Sequence, residues 1–445
     1  MVISLSNRRG RQFVAGMAAV VFIYFSLASQ EFLATVFASD AELPSLKRAV
    51  FLSPGNADYR YRLGRYYAFV AGDPQSSIES LRAAVYLNPH NASYWFDLAG
   101  AYQVIGYIDG QRAALDRALE VEPTAPAVAW QAANFFLIDG QTDRALQEFH
   151  VVVENDIELA NAALLASWRV RPDTEALLKE VVPARPDSLQ AFLDLLRSKQ
   201  QTDGTIQTWR RLADLHQKFP NQYLYEQVRY LIEMHRPEAA MAAWEQTADV
   251  LGLSAYLPTE DNLIVNGDFS LDILNGGFDW TYTNRTGVKP LLDPTQFREG
   301  HRSLSLSFLG PGINDAGIEQ IVPVHGAATY DFSAFYKSSD FEGAGGPQIV
   351  LRDAYTGAQL WTSEPLRDAD FWKEVHTKVT TASTTNLLVL AIERFPAGSP
   401  IRGKLWLDDF ELSPDDSHET SSDTSSATPP GAPSVTTPEN SSPKR

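Results

Sequence analysis

Residues 92–123 read ASYWFDLAGAYQVIGYIDGQRAALDRALEVEP, and their apolar positions follow a helical period. Trp95, Leu98, Ala99 and Tyr102 stand at i, i+3, i+4 and i+7, the spacing that lines one face of an α-helix. Gly106 and Asp109-Gly110 break the pattern, Ala114, Leu115, Ala118 and Leu119 resume it, and Pro123 stops it. The stretch predicts a helix, a turn and a helix. Lys47-Arg48-Ala49-Val50-Phe51-Leu52-Ser53-Pro54-Gly55-Asn56 resembles Arg82-Ala83-Ala84-Val85-Tyr86-Leu87-Asn88-Pro89-His90-Asn91, and prolines 54, 89 and 123 recur at near-constant intervals. That recurrence predicts hairpins stacked in a solenoid over residues 41–253. The first copy supplies only a second helix, expected to join the array to what precedes it. Beyond Asp156 the pattern blurs, yet residues 189–219 and 223–251 still alternate helical faces and predict further, degenerate hairpins.

After Leu257-Pro258-Thr259-Glu260 the period changes to two, as in Ser303-Leu304-Ser305-Leu306-Ser307-Phe308 and Tyr330-Asp331-Phe332-Ser333-Ala334-Phe335-Tyr336. Further strands are predicted at 348–352, 372–381, 386–393 and 404–412; residues 386–392 are apolar on both faces, which marks a central strand. Roughly eight short strands predict a jelly-roll sandwich over 262–413. Residues 414–445 are Ser, Thr, Pro, Asp and Glu with almost no apolar side chain, too little to offset the entropy of ordering, and are expected to be disordered.

The N-terminus adds a third kind of segment. Arg8, Arg9 and Arg11 lie in a basic stretch, residues 1–12, ahead of the apolar run 13–29, and no acidic residue precedes Glu31. A basic flank on one side of a run this long fits a membrane segment with its arginines in the cytoplasm. Cleavage at Val36-Phe37-Ala38 would make it a signal, but the run is longer than most signal h-regions and lies well upstream. An uncleaved single-pass anchor is the preferred reading, with the bulk of the chain extracytoplasmic, in the periplasm or at the cell surface.

Composition, 44% hydrophobic and 21% charged, is globular, and a formal net charge of -18 argues against a nucleic-acid surface. The chain contains no cysteine, which removes disulfides and thiolate chemistry. No HExxH, GxSxG or phosphate-cradling loop occurs, and the histidines are scattered, so no catalytic residue is assigned and no enzyme is expected. Asp408 and Asp409 are adjacent, and neighbours on a strand face opposite ways, which makes them a poor acid-base pair.

Two resemblances follow from the residues. Tyr59 or Arg60, Leu63-Gly64, Tyr67, Ala83 and Pro89, then Trp95, Leu98-Ala99, Tyr102, Gly106, Ala118 and Pro123, then Ala132-Ala133, Phe136, Gly140, Ala145 and Phe149, resemble tetratricopeptide (TPR) repeats. The opening Asn262-Leu263-Ile264-Val265-Asn266-Gly267-Asp268-Phe269, the central Gly300-His301-Arg302-Ser303-Leu304 and the closing Leu405-Trp406-Leu407-Asp408-Asp409-Phe410-Glu411-Leu412 resemble galactose-binding-like jelly rolls, including carbohydrate-binding modules of the family 4/9 type. With the apolar N-terminal run they make the expected chain multidomain: an N-terminal transmembrane helix, an all-α TPR-like solenoid and an all-β jelly-roll sandwich.

The TPR resemblance implies a groove beside the packing positions, at Tyr61, Arg65, Phe69, Phe96, Gln103, Trp130 and Asn134, suited to a protein or peptide partner. Gly100 stands where some relatives carry part of a carboxylate clamp, which argues against carboxylate-terminal peptides. The jelly-roll resemblance implies sugar platforms among Trp280, Tyr282, Tyr336, Trp361 and Trp372, with Arg352 or Arg394 for hydroxyls, and a polysaccharide as ligand. It also implies a structural calcium on Asp268 and Asp409, with Ser270 departing from the usual acid. The resulting expectation is a non-enzymatic scaffold, recruited to cell-envelope or exopolysaccharide assembly, needing no cofactor beyond that calcium; the alternative is a surface glycan-binding protein with the repeats as a spacer.

Overall fold

The computed structural model describes residues 8–415, so the stretch expected to be disordered lies, apart from its first two residues, outside the described residues. The described chain divides into two compact units that meet at Phe219 and Pro220. The first is entirely helical.

Its opening helix, α1 (Arg8–Ser39), carries the apolar run, and the part from Gly10 is long and apolar enough to cross a membrane. The helix does not stop where the run does. Its last turns pack Ala34 and Ala38 on Ala49 of α2 (Leu43–Leu52) and on Tyr59, so α1 itself supplies the first helix of the hairpin for which the sequence shows only a second. Tyr59 Oη donates to Glu31 Oε1 at 3.2 Å and lies 3.0 Å from Thr35 Oγ1. Three hairpins follow in this unit with short turns: α3 (Ala57–Tyr66) with α4 (Pro74–Leu87), α5 (Ala92–Val104) with α6 (Ile108–Val121), and α7 (Pro126–Ile138) with α8 (Thr142–Asn155). Next come α9 (Ile157–Val170), which packs on α8, and the short α10 (Thr174–Glu180); the hairpin of α11 (Pro186–Ser198) with α12 (Thr202–Ala213) closes the unit.

Local chemistry sets these boundaries. Asn56, Asn91, Asp73, Asp156 and Asp173 each cap a helix start by accepting a backbone N–H, and prolines open α4, α7 and α11 where a missing N–H costs nothing. The helices α2, α4 and α6 end two residues before Pro54, Pro89 and Pro123, as the repeat predicts. Small residues bring neighbouring helices close: Ala84, Ala99, Ala118, Ala132, Ala133 and Ala145 are fully shielded, interleaved with Leu81, Leu115, Phe136 and Phe149. After Tyr66 the backbone widens into a π-turn, Tyr67–Ala71, ended by Gly72 in the left-handed conformation.

The second unit begins with one more hairpin, α13 (Asn221–Glu233) and α14 (Pro237–Leu251), and continues into a sandwich. Its strands are β1 (Thr281–Tyr282), β2 (Val288–Asp293), β3 (Ser303–Gly312), β4 (Asp315–Pro323), β5 (Thr329–Glu342), β6 (Gly346–Asp353), β7 (Gln359–Thr362), β8 (Lys373–Thr380), β9 (Leu387–Phe395) and β10 (Pro400–Pro414). They form two five-stranded antiparallel sheets, β1-β4-β9-β6-β7 and β2-β3-β10-β5-β8. The strand apolar on both faces, β9, is the centre of its sheet. Leu304, Leu306 and Phe308 of β3 meet Leu388, Leu390 and Ile392 of β9 in the core between the sheets. The two ends of the sandwich are tied together: Asn262 Oδ1 accepts from Leu412 N at 3.0 Å while its Nδ2 donates to the Phe410 carbonyl.

Within this unit the last hairpin is packed onto the sandwich. Trp244 of α14 meets Phe278 edge to face at 6.0 Å and stacks on Tyr225, and its Nε1 donates to the Tyr256 carbonyl at 3.0 Å. Gly277 admits the indole: a Cβ there would fall 1.8 Å from the ring, and its φ of +68° suits only glycine well. Beside this contact Asp279 is buried, accepting from Leu274 N at 2.6 Å, and burial pushes its carboxyl up to about 6. Because the folded group holds its proton more tightly than an unfolded aspartate, its charge weakens the fold as pH rises from about 4 to about 6. Asp279→Asn is therefore expected to stabilise the chain by about 2–3 kcal/mol at pH 7.5, the gain shrinking to nothing near pH 4, as measured by denaturant unfolding across that range.

Candidate functional site

The structure brings three of the expected groove residues into the lining of one cleft of about 430 Å³ in the helical unit. Arg65 comes from α3, Phe69 from the π-turn, and Phe96 from α5; Phe135 of α7 closes the far wall, stacked on Phe96 at 6.4 Å. Tyr61, one turn before Arg65, stands at the rim, its ring 4.5 Å from that of Tyr94. The widened backbone at residues 67–71 leaves Phe69 exposed at the mouth. Gly100, whose missing side chain would approach nothing but the tip of Phe135, keeps the floor open. Phe69, Val104 and Ile138 occupy the same position at the ends of three successive first helices and are 70%, 74% and 71% exposed, so the apolar surface continues out of the cleft along one edge of the array.

The rim is polar. Arg65 Nε lies 3.3 Å from Asp97 Oδ2, and its guanidinium sits 5.7 Å over Tyr61 and 5.5 Å over Phe69. Burial, then the charge and hydrogen bond of Asp97, push the Tyr61 phenol up to about 12, so it stays a donor to that carboxylate at any physiological pH. Burial also raises the Asp97 carboxyl. In the wall, the fully buried Ser77 hydroxyl has no hydrogen-bond partner among the described residues. The arrangement is an apolar trough with a paired charge at its edge.

The other expected groove residues are elsewhere. Trp130 packs edge to face on Phe149 of its own hairpin at 5.6 Å, Asn134 donates to the Trp130 carbonyl, and Gln103 lies outside the cleft lining. Asp97, Val104, Gln131 and Phe135 line it instead; reading one hairpin at a time conceals which side chains its neighbour brings to the same space.

In the sandwich one of the expected sugar platforms is enclosed and the other four are half-buried. Trp280 is fully buried against Phe269 and Phe410, its Nε1 donating to the Asn266 carbonyl at 3.1 Å, which corrects its expected role: neither face is free for a ring. Trp361 rests against Phe332, Tyr282 and Tyr336 pack half-buried on the core, and Trp372 is half-buried just before β8. Arg394 is buried and donates to the carbonyls of Ala344 and Pro400, pinning loops rather than facing solvent. Arg352 does reach an open surface. With Arg285, Asp315, Glu319 and Glu393 it lines a small polar cleft of about 130 Å³ on the β1-β4-β9-β6 sheet, where Arg285 Nε is 2.7 Å from Asp315 and Arg352 is paired to Glu393 and lies 3.5 Å from Glu319.

Asp268 and Asp409 do not fit a calcium ion. Asp268 Oδ2 accepts from the Ser270 hydroxyl at 2.6 Å, while Asp409 is paired with the guanidinium of Arg298, whose cation lies 3.6 Å over Phe335. Neighbouring Asp408 is buried, accepts from Arg298 N at 2.6 Å, and is pushed up to about 6 by burial. The positive charge that those carboxylates call for is thus a side chain of the same domain, and among the described residues no group of three or more acids and histidines could hold a metal.

The chain matches no protein-family model and no curated relative. It is similar to parts of solved structures of two kinds. A family 4 carbohydrate-binding module is 16% identical over 34% of this chain and 99% of its own, with a TM-score of 0.27. The CBM22-1 xylan-binding domain of Paenibacillus barcinonensis Xyn10C is 19% identical over 35% of this chain and 96% of its own, TM-score 0.25. YrrB, a TPR protein with an unusual peptide-binding site, is 13% identical over 47% of this chain and 93% of its own, TM-score 0.25. By its own elements the chain joins an array of helical hairpins to a sandwich of two antiparallel sheets. With Arg298 in the cation's place, the chelator EDTA is expected to leave the thermal midpoint unchanged, whereas Arg298→Ala lowers stability by about 1–3 kcal/mol through the stranded acids, read by calorimetry with and without calcium.

Proposed function

We propose that the chain is a non-enzymatic scaffold, anchored by α1, whose helical cleft recruits an apolar segment of a protein partner outside the cytoplasm. The observation that carries this reading is the trough between Phe69, Phe96 and Phe135, open at the surface although it is apolar. A concave apolar site with few polar groups is the usual form of a binding pocket. Arg65 with Asp97 at the rim favours a polar residue next to the buried segment. Arg8 and Arg11 at the start of α1 support a topology with that end in the cytoplasm and the repeats on the other side. The process we assign to it is assembly of the cell envelope or of exopolysaccharide, in which the sandwich holds glycan.

For the sandwich, the polar cleft around Arg352 is the surface that fits a hydroxyl-rich ligand, since its carboxylates and guanidinium groups accept from and donate to sugar hydroxyls. A glycan-binding protein with the repeats as spacer is the second reading, and the two differ in which cleft matters.

Peptides selected for binding to the chain are expected to be apolar, and Val104→Asp or Phe69→Asp, both at exposed positions that leave packing intact, to weaken them by at least tenfold in calorimetric titration, about 1.4 kcal/mol. Affinity indifferent to both substitutions would remove the cleft from the proposal. On a glycan array Arg352→Ala is expected to abolish the sandwich's signal, and retention of full signal would put the glycan site elsewhere.

A further inference from the structure

The apolar run 13–29 spans about 26 Å as a helix, less than the roughly 30 Å of a bilayer's hydrocarbon core. With Phe13 at the inner boundary, the outer boundary falls a few residues beyond Ser29, near Phe32 and Leu33. That is where α1 changes partners. On one flank Glu31, Ala34, Thr35 and Ala38 turn to α2 and Tyr59, while on the other Phe32, Leu33 and Val36 remain exposed. Gln30 Nε2 donates to the Leu52 carbonyl, which sets the C-terminal end of α2 level with the same boundary. Next to Leu52, Phe51 is 83% exposed. One turn deeper into the array Arg48 is exposed as well, its guanidinium 5.5 Å over Phe37.

We propose that the first hairpin, the end of α1 with α2, is seated in the outer interfacial layer of the bilayer, with Phe51 and the flank Phe32, Leu33 and Val36 in contact with lipid and Arg48 at the level of the phosphates. Lipid is the occupant because this surface continues the membrane span without a break: α1 is one helix from Arg8 to Ser39, and its apolar flank passes the boundary without interruption. The order along α2, an aromatic ring at the acyl boundary and a cation on a long stem one turn farther out, matches the way aromatic and basic side chains distribute across that layer. The hydrogen bonds of Tyr59 to Glu31 and Thr35 then transmit the seating to the array, so the cleft holds a fixed attitude to the membrane instead of swinging from a tether.

The inference rests on α1 being a membrane span, and the test separates the two. Since the chain has no cysteine, single substitutions Val21→Cys, Val36→Cys, Phe51→Cys and Gln147→Cys in the full chain can each carry one nitroxide, all at exposed positions that tolerate a label. In phosphatidylcholine nanodiscs the ratio of oxygen to nickel-chelate accessibility reports depth. The expected result is a core value at Val21→Cys, interfacial values at Val36→Cys and Phe51→Cys, and a fully aqueous value at Gln147→Cys. Phe51→Cys and Val36→Cys as aqueous as Gln147→Cys, with Val21→Cys in the core, overturns the seating and leaves the span standing. An aqueous value at Val21→Cys overturns both.

Discussion

The helical unit depends on one junction, where Tyr59 hydrogen-bonds to Glu31 and lies within hydrogen-bonding reach of Thr35 while Ala34 and Ala38 close against Ala49. From Phe13 to Ser29 the first helix is apolar on every side; two residues later it carries a carboxylate whose partner belongs to the second repeat. A helix of more than thirty residues can be stiff across such a change because each backbone bond is satisfied within it. No glycine or proline interrupts the helix between Met17 and Ser39, so the anchor and the first hairpin behave as one rod.

Farther along, the geometry of the cleft follows from side-chain size. Alanines at the helix contacts draw the hairpins together, and the rings of Phe96 and Phe135 stack across the cleft between two of them. Gly100 and the π-turn do the opposite, holding space open and pushing Phe69 outward. The charged pair at the rim costs little because Arg65 keeps solvent access and lays its flat group over two rings.

Much of the fold was legible because local interactions determine it. Capping side chains, the prolines that end α2, α4 and α6, the two-residue period of β3 and β5 and the unbroken apolar run of β9 each act within a few residues of themselves. The strands that escaped notice have local reasons too: β2 contains Pro290, tolerated because it is an edge strand, and β4 carries Asp315, Glu319 and Gln320 in its ladder. The sites were less legible. That Phe96 lines a cleft depends on Phe135 in the next hairpin, and that Asp409 needs no metal depends on Arg298 across the sandwich. An aromatic side chain in a strand-rich region looks the same in sequence whether it faces sugar, like the platforms once expected, or fills the core, as Trp280 does.

The contact of Trp244 with Gly277 and Phe278 bears on how the chain can be divided. A cut at Leu257, where the sequence pattern changes from helical to extended, would strip the last hairpin from the sandwich and leave Phe278 and the buried carboxylate of Asp279 facing water on a domain whose outline otherwise looks complete. The smallest β-body that keeps its own surface intact begins at Pro220, so two helices of repeat ancestry in pattern belong, by packing, to the sandwich.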